Sequence, residues 1–167
     1  YEKGRLRQWQ RSTAAHNTVE INGENSSEVW DSFKVARRTK PTNVSVKKSI
    51  NRFEVKATIN LIKKVKHTRI WNFNDYNLLI TDIIYGRINS AKMRLYFYPD
   101  CRINFVKDKA IEVINNDAKL LIKSSNTFEI IDSFWFPEFG KSLSNKCIMF
   151  TMHGGKNMTE LKWHPPK

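Results

Sequence analysis

The chain has 167 residues, 40% of them hydrophobic, 27% charged and 12% aromatic, which excludes a disordered or fibrous polymer and predicts one globular domain with its own core. A formal net charge of +13 points to a polyanionic partner, because a field of that size attracts negative polymers; acidic polysaccharide, nucleic acid and an anionic membrane surface all qualify. Two cysteines and no run of roughly 18 apolar residues exclude a disulfide framework, a paired-CxxC metal site and a helical membrane span.

Residues 1–17 carry Arg5, Arg7 and Arg11 together with Trp9 and His16. The stretch is too polar for a core strand and too aromatic for a solvated tail, which suits a groove wall. Tyr1 stands where an initiator methionine would, and this predicts an upstream part of the protein. From residue 19 the pattern turns to period two, the mark of strands with one buried face. It runs through Val19-Glu20-Ile21, Val44-Ser45-Val46, the set Phe53, Val55, Ala57 and Ile59, then Ile103-Asn104-Phe105 and Thr159 to Trp163. Denser runs at Leu78-Leu79-Ile80, Leu120-Leu121-Ile122 and Ile148-Met149-Phe150 predict central strands covered on both faces.

Turn signals separate these runs at short spacing: Asn22-Gly23, Asn74-Asp75, Tyr85-Gly86, Asn115-Asn116-Asp117 and Gly154-Gly155. There is no internal repeat, no convincing helical periodicity and no linker long enough to divide the chain. The prediction is an all-β fold, an antiparallel multi-stranded β-sandwich, with residues 1–167 as a single domain. Cys101 and Cys147, each in a strand-like stretch, are expected as buried free thiols.

Several side chains have an ordinary reading. Arg37-Arg38, Lys47-Lys48 and Lys63-Lys64 read as solvated faces, His153 and His164 as turn or terminal residues, and Trp71 and Trp135 as core. Trp9, flanked by polar residues, is the tryptophan expected near a ligand, where an indole face matches the C–H side of a sugar ring. His16 on its own reads as a half-buried histidine pinning the first strand. Nucleic acid is disfavoured as the partner, since no RNP-like string, zinc-finger spacing or basic helix is found.

The string Arg11-Ser12-Thr13-Ala14-Ala15-His16-Asn17-Thr18, followed by Val19-Glu20-Ile21-Asn22-Gly23 and then Trp30 and Phe33, resembles the R-x-T-x-x-H-N-T, apolar strand, D/N-G opening of the β-sandwich domain of heparinase II/III-like polysaccharide lyases. The resemblance continues through Val65 to Arg69, Thr81-Asp82-Ile83 with Gly86, Leu95 to Pro99, Trp135 to Lys141 and a last strand at Leu161 to Trp163. It therefore covers nearly the whole chain, in the order that family shows. The sequence departs from the pattern at Asn22, where an aspartate is common, and in its richness in lysine, asparagine and isoleucine.

The resemblance implies the C-terminal domain of a two-part bacterial enzyme, periplasmic or extracellular, whose upstream α/α-toroid completes the cleft. Such lyases cleave uronate-containing acidic polysaccharide by β-elimination. The uronate carboxylate must be neutralised, a base must take the C5 proton, and an acid must protonate the departing oxygen. The resemblance assigns the histidine of H-N-T, His16, to catalysis, and a residue with an unperturbed pKa of about 6.5 suits either the base or the neutralising role. Arg11, with Arg5, Arg7, Asn17 and Trp9, would hold the substrate, arginine because its planar fork grips carboxylates and sulfates in pairs of hydrogen bonds. Without the toroid's own catalytic residues, the isolated chain is expected to be inactive.

Some members of the family carry a structural zinc in this sandwich, and His67 sits where one ligand would come. Metal-holding members tend to have a second histidine where Thr18 stands, and only a speculative Asp31 joins His67 here, short of the roughly four ligands zinc requires. The expectation is no metal and no cofactor, with His67 a packed strand residue. A non-catalytic polyanion- or carbohydrate-binding sandwich is the alternative function.

Overall fold

The computed structural model describes residues 4–30, 34–61, 64–107, 109–138 and 140–164. One short helix, α1 (Arg5–Gln10), and a 3-10 turn at Thr13–Ala15 precede the strands β1 (Val19–Ile21), β2 (Glu28–Trp30), β3 (Lys34–Ala36), β4 (Pro41–Ser49), β5 (Arg52–Asn60), β6 (Lys66–Asn74) and β7 (Asn77–Tyr85). The remainder are β8 (Ala91–Tyr96), β9 (Arg102–Lys107), β10 (Ala110–Asn115), β11 (Ala118–Ser124), β12 (Phe128–Trp135), β13 (Leu143–Thr151) and β14 (Lys156–Trp163). A four-stranded sheet in the order β1-β8-β13-β12 stands with an eight-stranded sheet in the order β4-β5-β6-β7-β14-β11-β10-β9, and β2 and β3 pair separately. Neighbours are antiparallel, as in β5–β6, where Phe53 faces Phe73 and the ladder runs to Asn60 opposite Lys66. The predicted all-β, antiparallel sandwich is the observed fold.

Period two explains the core. Val19 and Ile21 of β1, Met93 and Leu95 of β8, and Ile148 and Phe150 of β13 pack with Ile84, Ile111, Val113 and Ile122 of the larger sheet in one buried cluster. Among the dense apolar runs, β13 is covered on both faces, since Cys147, Ile148, Met149 and Phe150 are all buried. Leu78, Leu79, Leu120 and Leu121 are only half-buried, so β7 and β11 are covered chiefly on one face.

The expectation of one buried face fails in β4, where Val44 and Val46 are 60% and 59% exposed. The two sheets are of unequal width, and β4 is the edge strand of the wider one, beyond the reach of its four-stranded neighbour. Similarly, Phe105 of β9, on the opposite edge, is exposed. Cys147 is buried within β13, and burial pushes its thiol up to about 11, whereas Cys101 is half-buried just before β9; both thiols are free.

Gly155 closes the β13–β14 connection with φ of +72°, and a Cβ there would lie 2.8 Å from Ile88 Cδ1 and 3.1 Å from the Ile84 carbonyl oxygen. Its own carbonyl accepts the Ile84 amide at 2.8 Å, so the backbone has no freedom to withdraw. Gly155→Ala is therefore expected to destabilise the fold by more than about 1 kcal/mol, measured as a lowered urea midpoint at unchanged slope.

Candidate functional site

The segment before β1 crosses one end of the four-stranded sheet in two short turns. The 3-10 turn is held from below: Thr13 is buried, its amide donates to Asn25 Oδ1 at 2.7 Å, and its hydroxyl oxygen accepts the Ser26 amide at 2.7 Å. The Tyr96 hydroxyl donates to the Ala14 carbonyl. Burial, then the neighbouring Cys147 thiol, raises the Tyr96 phenol above its ordinary value, which keeps it a neutral donor committed to that carbonyl.

His16 follows, in extended backbone, its amide donating to the Thr13 carbonyl at 3.2 Å. The residue is exposed, and among the described residues its imidazole makes no hydrogen bond. Asn17 is fixed from both sheets. Its side-chain oxygen accepts the Tyr96 amide of β8 at 2.8 Å, and its carbonyl accepts Arg69 Nη1 of β6 at 2.7 Å.

His16 opens into a groove of about 1010 Å³ between α1, β8 and the β12–β13 end of the small sheet. Arg7 and Trp9 of the helical segment line it together with Phe134, Trp135, Phe136, Glu138, Lys141 and Asn145. Trp9 and Phe136 meet edge to face at 6.0 Å. Lys141 pairs with Glu138 at 2.8 Å, and Arg7 is a further cation of the lining. Aromatic walls with a few charged and amide groups suit a sugar chain, whose rings offer C–H faces and whose substituents are polar.

The candidate residues named from sequence thus divide. His16, Arg7 and Trp9 line the groove; Arg5, Arg11 and Asn17 do not. Arg5 is exposed on α1, Arg11 is the C-cap residue of that helix through its backbone amide while its Nη2 donates to the Lys34 carbonyl of β3 at 3.3 Å, and the Asn17 side-chain oxygen is engaged with Tyr96. The short helix itself carries no buried residue, and so left no periodicity to read. Trp135, expected in the core, is half-buried and lines the groove, because it ends β12 at the sheet margin. Tyr96, Phe134, Phe136, Lys141 and Asn145 went unassigned. Tyr96 and the 135–141 segment lay within motif strings that resembled the family, which was the available signal.

Behind Asn17 lies a buried ionic cluster. Asp82 is fully buried and receives His67 Nε2 at 2.7 Å, Arg69 Nε at 2.7 Å and Arg69 Nη2 at 3.1 Å. Burial alone would raise the Asp82 pKa, but the hydrogen bond from His67 and the Arg69 guanidinium outweigh it and hold the carboxyl below its ordinary range. His67 is a buried strand residue, occupied by Asp82. Asp31, its speculative co-ligand, lies outside the described residues, and among the described residues no three His, Cys, Asp or Glu side chains are placed to share an ion.

Comparison with curated protein sequences gives no match. Among solved structures, the chain is similar to heparan sulfate lyase HepC from Pedobacter heparinus, with a TM-score of 0.79 at 17% identity over 99% of this chain and 27% of that one. It is also similar to the heparinase III that is the BT4657 gene product, with a TM-score of 0.78 at 14% identity over 98% of this chain and 26% of that one. The chain thus spans about a quarter of the length of these structures, and at such identities the likeness establishes the fold. The family model described as "Heparinase II/III-like, C-terminal" matches residues 1–164, and the chain belongs to that family.

Proposed function

We propose that the chain forms one wall of the cleft of a polysaccharide lyase that acts outside the cytoplasm on a uronate-containing acidic polysaccharide. The observation that carries this reading is His16, exposed and without a hydrogen bond on its ring among the described residues, in the lining of an aromatic groove that Arg7 also lines. In β-elimination the C5–H bond breaks, the C4–O bond breaks and a C4=C5 double bond forms. His16 takes the C5 proton, or it neutralises the uronate carboxylate while a side chain of an upstream toroid domain takes that proton; the toroid also supplies the opposite wall and the acid for the leaving oxygen. Arg7 holds a carboxylate or sulfate of the chain, and Trp9 and Trp135 pack against sugar rings.

The test is ultraviolet absorbance of unsaturated uronate product, comparing this chain and a longer, toroid-bearing chain against a panel of acidic polysaccharides. Product from the longer chain but not from this one supports a divided active site. No product from either favours a binding or structural sandwich, the reading that the net charge of +13 supports by itself.

Arg7→Ala in the longer chain is expected to raise KM about tenfold or more with a smaller change in kcat, the scale of one lost charge-assisted hydrogen bond made to the ground state as well as the transition state. Initial rates across a substrate series check it.

A further inference from the structure

The cluster around Asp82 lies behind the groove, and no chemistry is assigned to it. We propose that Arg69 is a positioning residue for His16, acting through the Asn17 carbonyl; the inference rests on the lyase reading above.

The imidazole of His16 has no hydrogen bond among the described residues, so its place in the groove follows from its backbone. On its C-terminal side that backbone is held at Asn17, whose carbonyl accepts Arg69 Nη1 at 2.7 Å from a strand of the other sheet. The Asn17 side chain and the Thr18 carbonyl are held by β8, through the amides of Tyr96 at 2.8 Å and Arg94 at 3.0 Å. The Arg69 bond is thus the one of these that ties the segment to the eight-stranded sheet.

Arg69 is itself rigid. Nε and Nη2 grip the two oxygens of Asp82, directly across the β6–β7 ladder, which leaves Nη1 aimed at Asn17. The guanidinium also lies 5.9 Å from the Trp71 ring. His67 holds Asp82 from the same face of β6, so the acceptor cannot rotate away. A buried ion cluster is poor evidence of stability for its own sake, since apolar side chains of similar volume often serve as well. What it supplies here is direction: a planar fork locked on one side presents its last donor at a fixed angle. Lysine, a single point donor, can keep the charge beside Asp82 but cannot span both partners.

The experiment compares wild type, Arg69→Lys and Ile122→Val, all in a longer chain that carries these residues. Ile122 is fully buried in the core and, as a mild core truncation, controls for lost stability. Amide hydrogen exchange is read by mass spectrometry, and kcat and KM by product absorbance. Arg69→Lys is expected to speed exchange at residues 16–18 about tenfold or more while β13 stays protected. It is also expected to lower kcat about tenfold to a hundredfold at nearly constant KM, as slight misplacement of a reacting group does. Ile122→Val should do neither. Unchanged exchange at 16–18 in Arg69→Lys, or equal loosening there in Ile122→Val, would overturn the proposal. If the wild-type chain forms no unsaturated product, the lyase reading fails, and the exchange comparison still decides whether Arg69 orders the His16 segment.

Discussion

Asp82→Ala is expected to destabilise the fold by about 3–5 kcal/mol, the cost of stranding a buried charge whose partner has been removed. Arg69 would lose both of its hydrogen bonds to the carboxylate and His67 its own, while all three positions stay shut off from water. At this chain length, such a loss lowers Tm by about 6–20 °C. Arg69→Met combined with Asp82→Leu should be less destabilised than Asp82→Ala, because it leaves no unpaired guanidinium. Thermal melts of the three chains check both statements; a double variant worse than the single would mean that the cluster stabilises the fold beyond its own pairing.

The same carboxylate gives the acid limb of stability. Its folded pKa is depressed, so its contribution is fully present above the unfolded value, about 3.9 for an aspartate, and is lost as pH falls from there through the folded value. Wild type should therefore lose more stability than Asp82→Asn as pH is lowered below about 4.

His16→Ala in the longer, toroid-bearing chain is expected to lower kcat by about 10²–10⁴, the usual worth of one general acid–base or charge-neutralising group. The variant should fold normally, because the residue is exposed and its ring makes no hydrogen bond among the described residues, and surface changes of that kind alter stability by roughly 0.5 kcal/mol or less. A matched Tm with lost turnover would separate chemistry from folding. Undiminished product formation at saturating substrate would remove His16 from the mechanism.

Much of this architecture was legible beforehand because a strand's side chains alternate between two faces. Val19 and Ile21 declared the buried face of β1 without any knowledge of partners, whereas in β5 the buried residue is Thr58, on the face opposite Phe53, Val55, Ala57 and Ile59. The same rule misled at Val44 and Val46, since periodicity reports which residues share a face and not whether a second sheet is wide enough to cover it. Helix α1 escaped notice because six residues with no buried member carry no apolar stripe.

The candidate site shows the same division. Residue types alone singled out Trp9 among the polar residues of the N-terminal stretch, and the ordered motif strings drew out His16. Arg7 was separated from Arg5 and Arg11 only by the tertiary structure, which placed one in the groove lining and tied the guanidinium of another to the Lys34 carbonyl. Trp135, Phe136 and Lys141 reached the site from more than a hundred residues away. The linkage of Arg69 to Asn17 spans 52 positions and joins two sheets. By itself the sequence determined an all-β sandwich, because alternation along strands is a local pattern, while His16 drew attention only through the resemblance of ordered motif strings. The wall around that histidine, and the buried clamp behind it, were decided when the sheets packed, because hydrogen bonds and grooves depend on distances that only long-range pairing sets.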